Sequence, residues 1–399
     1  MNVFVLGAGA SKGYSLSPTQ MRMPIAKDFF RTFQCLAISE NPWVLIGDIL
    51  NVSKRDWGME LGELFDTDTD IEEFHSYVEE KLLQSLFIES KEGFEYWKAY
   101  HQLIFLFASV VNEIQNGPTS NAHVKLVRLM KPNDIIMTFN WDTLMDRALF
   151  ETTAWKPDYG YGIVPKKIFR NQWEEPQKTE NDNFPVLLKL HGSSNWITSH
   201  TIFDKERKQI TLTQESSPET LHVYEFAERP YPTYQGRYMG SYQPFSYGYY
   251  PPNLDDPGKT VGDDSIIFSE TPQIPWYPSK TSFDNGLTSM PLIIPPVKKK
   301  TFELFGQLFN ILWKQAENSL VHAENIVIIG YSFPKTDYKS NDLFLNAFLK
   351  RSTEPQVIVI DPTPERVIEK FKFEFGISRM HPIEDHFSED FDMKNFGQR

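Results

Sequence analysis

The chain has 399 residues, 40% of them hydrophobic, enough for one large core or two smaller ones, and 40 basic against 53 acidic side chains give a net charge of −13. That balance speaks against a free-standing nucleic-acid binder, which needs basic surface to meet phosphates. Cys35 is the single cysteine, so an internal disulfide and a cysteine-based zinc module are both excluded, and with no signal-peptide pattern or apolar run near the ~20 residues of a membrane span, a soluble cytoplasmic protein is expected.

The chain opens with Asn2-Val-Phe-Val-Leu-Gly-Ala-Gly-Ala-Ser-Lys-Gly13. Residues 3–6 are apolar and β-branched enough to predict a strand buried on both faces. Gly7, Gly9 and Gly13 then predict a sharp turn whose amides a phosphate can approach, with a helix starting near Ser11. The spacing differs from the dinucleotide fingerprint G-x-G-x-x-G: the third glycine falls one place late, and residues 23–33 read as helix where a second strand should end in an acid. The phosphate-binding lysine motif is absent. The turn therefore suits a nucleotide but not ordinary hydride transfer, and a plain tight turn is the alternative.

Residues 14–131 predict a helical module inserted over one edge of a sheet. Helices are expected over 24–33, 71–87, 94–114 and 122–130. The second has Thr69 or Asp70 to cap it and Ile71, Phe74, Val78, Leu82 and Leu86 at helical spacing.

Strands of a parallel sheet follow. Asp134-Ile-Ile-Met-Thr-Phe139 ends in Asn140-Trp-Asp142, and Pro185-Val-Leu-Leu-Lys-Leu190 ends in His191-Gly-Ser-Ser-Asn-Trp196. Asn325-Ile-Val-Ile-Ile-Gly330 ends in Tyr331-Ser332, and Gln356-Val-Ile-Val-Ile-Asp361 ends in a turn. With a helix predicted over 302–318, this alternation reads as an α/β fold with a doubly wound, Rossmann-like parallel sheet. In such sheets ligands bind beyond the carboxyl ends of the strands, and the polar clusters all fall there. Residues 199–290 are rich in Tyr and Pro. A hairpin is expected over 201–213 and irregular chain beyond it, either packed as a loop or serving as a contact surface.

Four motifs, Gly7-Ala-Gly-Ala-Ser11, Thr138-Phe-Asn-Trp-Asp142, Lys189-Leu-His-Gly192 and Gly330-Tyr-Ser332, together resemble the sirtuin NAD-binding fold. The nearest likeness is to bacterial sirtuin-like NAD+ hydrolases of anti-phage defence, the stand-alone kind that assembles with a HerA-type ATPase. The resemblance spans one NAD-binding domain over 1–399. It implies that Gly7, Ala8, Gly9, Ala10, Ser11 and Thr138 line the NAD+ site, that Asn140 orients the nicotinamide ribose and a water, and that Asp142 holds the carboxamide. It further implies that His191 is the base, that Gly330 and Ser332 meet the diphosphate and ribose, and that Asp361 meets the adenosine ribose.

By this resemblance the protein is an NAD+ glycohydrolase and a homo-oligomer, with NAD+ as substrate and no metal. Phe139 stands where deacetylating sirtuins have Gln, and their four-cysteine zinc ribbon is missing. Both departures count against protein deacetylation. The other readings are a non-catalytic NAD or ADP-ribose sensor, and an NAD-dependent deacylase or ADP-ribosyltransferase. Each residue also has a plainer role open to it: Asn140, Asp142 and Ser332 as helix caps, His191 and Asp361 as turn residues. His75, His101, His123 and His322 fall within or beside helical patterns and read as core or surface residues, and His381 and His386 lack metal-pair spacing.

Overall fold

The computed structural model describes residues 1–36, 43–60, 62–66, 68–85, 91–163, 167–170, 172–174, 183–204, 209–212, 221–224, 265–269, 287–294, 306–334 and 337–393. The chain begins with β1 (Asn2–Leu6) and the short α1 (Ala8–Lys12). The helices α2 (Phe29–Cys35), α3 (Trp43–Trp57), α4 (Glu63–Asp66), α5 (Ile71–Ser85), α6 (Lys91–Gln115) and α7 (Asn121–Val127) come next. β2 (Ile135–Thr138), α8 (Leu144–Thr152), α9 (Pro157–Gly160), β3 (Lys167–Arg170), β4 (Gln172–Glu174) and β5 (Val186–Lys189) lead to β6 (Gly192–Asp204) and β7 (Gln209–Leu212). Then follow β8 (Leu221–Tyr224), β9 (Ser265–Ser269), β10 (Leu287–Ile293), α10 (Gly306–His322), β11 (Asn325–Ile329), α11 (Tyr338–Leu349), β12 (Gln356–Ile360), α12 (Glu365–Phe373) and β13 (Met380–Ile383).

Six strands form a parallel sheet in the order β13-β12-β11-β1-β2-β5. Numbered along the chain, that is 3-2-1-4-5-6, the order of dinucleotide-binding sheets, and it is compatible with a Rossmann-like fold. The order reverses between β1 and β11, where Val3 pairs Ile326 on one side and Ile135 on the other. Val3, Val5, Ile136, Ile326 and Val357 are completely buried, which is why these strands read as continuous apolar runs. β13, at the sheet's edge, escaped the sequence reading because it contains Pro382. An edge strand tolerates a proline, having a side with no ladder to serve.

The helical block has the expected α2, α5, α6 and α7, each within a few residues of its predicted bounds, and adds α3 and α4. The described part of the second predicted helix ends at Ser85. α6 packs on both α3 and α5, with Leu103, Ile104 and Phe107 fully buried. Gly47, within α3, weakens that helix's pattern in the sequence.

The region expected to be irregular is corrected at several points. The hairpin of β6 and β7 is present, pairing Thr201 with Leu212. Beyond it, β8, β9 and β10 join β6, β3 and β4 in an antiparallel sheet of order β10-β6-β8-β9-β3-β4. These pairings bring together segments far apart in sequence, such as Ile168 with Phe268, so local composition carries little trace of them. The tyrosines from Tyr231 to Tyr250 lie outside the described residues. Among the described residues, no helix is long and apolar enough to cross a membrane.

Candidate functional site at the carboxyl rim of the parallel sheet

Because all six strands run the same way, the residues after β5, β2, β1, β11 and β12 share one rim. His191, Asn140, Gly7, Gly330 and Asp361 all lie along it. The point where the strand order reverses, the usual opening for a ligand in such sheets, falls between Gly7 and Gly330.

The glycines there meet protein. A Cβ on Gly7 would lie 2.5 Å from Gly330 O and 2.6 Å from Tyr331 Cβ, and one on Gly9 would lie 2.7 Å from Gly330 Cα. The Gly7 and Gly9 amides donate to Ile329 O (3.0 Å) and Gly330 O (2.9 Å). Gly330 itself has φ +58° and no room for a side chain. The two loops therefore press backbone to backbone, and the third glycine, Gly13, faces Phe387 O. This tight turn lets α1 start at Ala8. The expected start near Ser11 is corrected: Ser11 is the fourth residue of a five-residue helix.

From there Ser11 Oγ donates to Asp142 Oδ2 at 2.5 Å. Asn140 Nδ2 donates to Gly7 O (2.7 Å) and Ser11 Oγ (2.8 Å). Since a carbonyl only accepts, the atom facing Gly7 O must be the amide nitrogen. Both Asn140 N–H bonds are thereby used, and its Oδ1 is the acceptor left on a half-buried side chain. Asp142 Oδ1 accepts from Leu144 N (3.0 Å) at the start of α8, so the capping role is present alongside the bond to Ser11. Thr138 shapes the same turn, its Oγ1 accepting from Asn140 N (3.0 Å).

His191 is 4% exposed, in a turn that Gly192 makes at φ +77° against Leu292 O. Its Nε2 lies 3.4 Å from Asp337 Oδ2. Phe139 meets its ring edge-on at 5.0 Å and stacks face to face on Tyr331 at 4.3 Å. Tyr331 can cross from β11 to β2 because Gly7, between them, has no side chain. Ala8 and Ser332 are exposed, Ala10 is buried, and Asp361 Oδ1 accepts from Thr363 N (2.9 Å) and Thr363 Oγ1 (3.2 Å) in its own turn. Five of the expected residues thus come together in one bonded cluster (Gly7, Ser11, Thr138, Asn140 and Asp142). His191 stands beside Phe139, and Ser332 and Asp361 stand apart.

Several residues here carried no sequence signal. Asp337 and Tyr331 join the site only through the fold. Lys189, read as part of a motif without a role, is completely buried, with Nζ donating to Asp142 O and 3.1 Å from Asp146 Oδ2. Tyr161 OH donates to Asp146 Oδ1 (2.7 Å). Burial pushes the Asp146 carboxyl upward while the Lys189 ammonium pulls it back, and burial next to Asp146 drives the Tyr161 hydroxyl well above its ordinary value. Gln115, the last residue of α6, ties the helical block to the rim through Thr143 N (2.7 Å) and Ser194 Oγ (3.2 Å).

Among the described residues, no group of three His, Cys, Asp or Glu side chains could hold a metal ion. The chain matches no family model and no curated protein sequence.

Proposed function

We propose that this rim is the NAD+ site of a sirtuin-like glycohydrolase, which cleaves NAD+ to nicotinamide and ADP-ribose. The observation that carries the reading is that Asn140 and His191 follow the neighbouring strands β2 and β5 on the rim that also holds Gly7 and Gly330. Nicotinamide leaves as a neutral pyridine, so the site needs little acid catalysis. It must instead hold a cationic ribose and aim a water. An amide oxygen fixed by two donated hydrogen bonds suits the aiming, and an imidazole suits the uptake of the water's proton. Asp142 acts mainly by holding Ser11 and the start of α8.

The sequence resemblance further suggests a defence effector, oligomeric and gated by a HerA-type ATPase, since an ungated NAD+ hydrolase would harm its own cell. A non-catalytic NAD or ADP-ribose sensor is the second reading.

Nicotinamide release by the pure protein, alone and with the ATPase, separates the two readings. Asn140→Ala and His191→Ala should each lower release by roughly 10²–10⁴-fold, about 3–5 kcal/mol of barrier, in variants that still fold. Near-wild-type release by both folded variants would rule out this site. Binding of NAD+ without turnover in every assembly would favour the sensor.

A further inference from the structure

We infer that Asp337 is the positioning residue of His191, a buried carboxylate that takes the Nε2 side of the ring and so fixes which nitrogen works at the rim. The inference rests on the NAD+ reading only for the identity of the reaction. His191 Nε2 and Asp337 Oδ2 are 3.4 Å apart, and the two side chains are 5% and 1% exposed. Asp337 is itself held. Its Oδ2 accepts from Tyr331 OH (2.9 Å), and its Oδ1 accepts from Ser340 N (3.3 Å) as the cap of α11.

The loop that brings Asp337 across two strands is pinned at both a glycine and a phenylalanine. Gly330 turns at φ +58° and Phe333 at φ +51°, a conformation costly for a phenylalanine and maintained by packing on Phe344 (5.0 Å) and Phe371 (5.4 Å). Phe139 and Trp313 flank the imidazole, and Trp313 is anchored by Nε1 donating to Leu190 O (3.2 Å).

Other charged groups in this part of the fold have described contacts of their own. Lys339 sits over Trp313 at 4.9 Å, Lys189 is paired with Asp146, and Asp142 accepts from Ser11. The Tyr331 hydroxyl points at Asp337. Among the described contacts, Asp337 is the anion beside His191.

No hydrogen bond closes between Nε2 and the carboxylate at 3.4 Å, but the carboxylate's charge favours the tautomer that carries the proton on Nε2 and leaves Nδ1 unprotonated. In hydrolysis the bond between the ribose C1′ and the nicotinamide nitrogen breaks, and its electron pair stays on the nitrogen and neutralises the pyridinium. The water oxygen bonds to C1′, its proton passes to Nδ1, and the imidazolium returns that proton to solvent. Asp337 stabilises the imidazolium and remains a carboxylate throughout.

The test is Asp337→Asn in the full chain, since asparagine still caps a helix but carries no charge. Histidine-labelled NMR, with the His191 signal assigned by His191→Gln, reads the His191 pKa and tautomer without any need for activity. Loss of the neighbouring anion should lower that pKa by about one unit and mix the tautomers. Nicotinamide release should fall roughly 10–100-fold in kcat with little change in KM, its low-pH limb moving down in step. Tyr331→Phe, which removes a donor from the carboxylate, should shift His191 the other way, and it decides the matter if D337N does not fold.

An unchanged His191 pKa and tautomer in the folded variant would overturn the inference, whatever the protein does with NAD+. A shifted histidine in a protein whose wild type releases no nicotinamide would leave the positioning role standing and remove the NAD+ reading. Faster release by D337N would overturn the inference by making the pair a restraint.

Discussion

At the end of β5, Lys189 and Asp146 lie 3.1 Å apart with neither exposed, whereas in α5 the imidazole of His75 is just as deeply buried and neither ring nitrogen has a hydrogen-bond partner among the described residues. Glu79, one helical turn further on, is buried too, with no ion pair among the described residues. The consequences diverge. Burial alone pushes His75 down to about 3 and Glu79 up to about 7. The helical block thus favours the neutral forms of these groups, while at the rim Lys189 opposes the upward push of burial on Asp146. A buried group can shed its charge or find a partner for it.

The contrast breaks most visibly at Lys189. Lys189→Ala leaves Asp146 buried without its cation and should cost about 3–5 kcal/mol in denaturant unfolding. Replacing both partners with apolar residues of similar volume should recover most of that loss. A single Lys189→Ala variant as stable as the wild type would mean that the ion pair holds nothing together.

Glu79 gives the next largest effect. Its folded pKa is raised, from 4.5 to about 7, so its contribution to stability is full below about pH 4.5 and is lost as the pH rises through 7. Glu79→Gln should therefore be more stable than wild type by about 1–3 kcal/mol at pH 8, and the two should converge toward pH 4. Parallel stability curves would show that Glu79 is not desolvated.

His75 has the opposite sign and a smaller effect. Its folded pKa is lowered, so its contribution is full above the unfolded value of 6.5 and is lost as the pH falls toward 3. His123, pushed down to about 4 by the same cause, adds to that slope. His75→Phe should flatten the acid side of the stability curve by about 1–2 kcal/mol at pH 5. Melting curves collected between pH 5 and 7 report the slope whatever constant cost the larger ring adds.

Legibility in the sequence followed the range of the interactions. β1, β2, β5, β11 and β12 were readable because each is buried on both faces and announces itself within five residues. The helices α5 and α6 were readable from their apolar spacing. The antiparallel sheet was not, since its partners lie up to a hundred residues apart and its strands mix Ser, Thr and apolar residues. At the rim, Ser11, Asn140 and Asp142 stood out because polar residues ended apolar runs. Asp337 did not, because it reaches His191 only after the β11 loop has crossed two strands, which no local pattern records. The glycines were noticed for the right conformational reason, but the body that fills their space is Gly330 and Tyr331.

The central position of β1 has a consequence for synthesis. Its neighbours are distant in the chain: Ile135 pairs with Val3, and Asn325 lies 323 residues beyond Asn2. At ~5–20 residues per second, roughly 15–65 s pass on the ribosome between the appearance of β1 and that of β11. During that interval β1, β2 and β5 can pair, but one side of β1 has an open ladder and the rim lacks Tyr331 and Asp337. Nascent chains stalled before residue 325 should be cut readily by protease within β1 and β2, and chains extended past β13 should resist. The two sides of the rim are thus joined late, when the sheet closes around the strand that was made first.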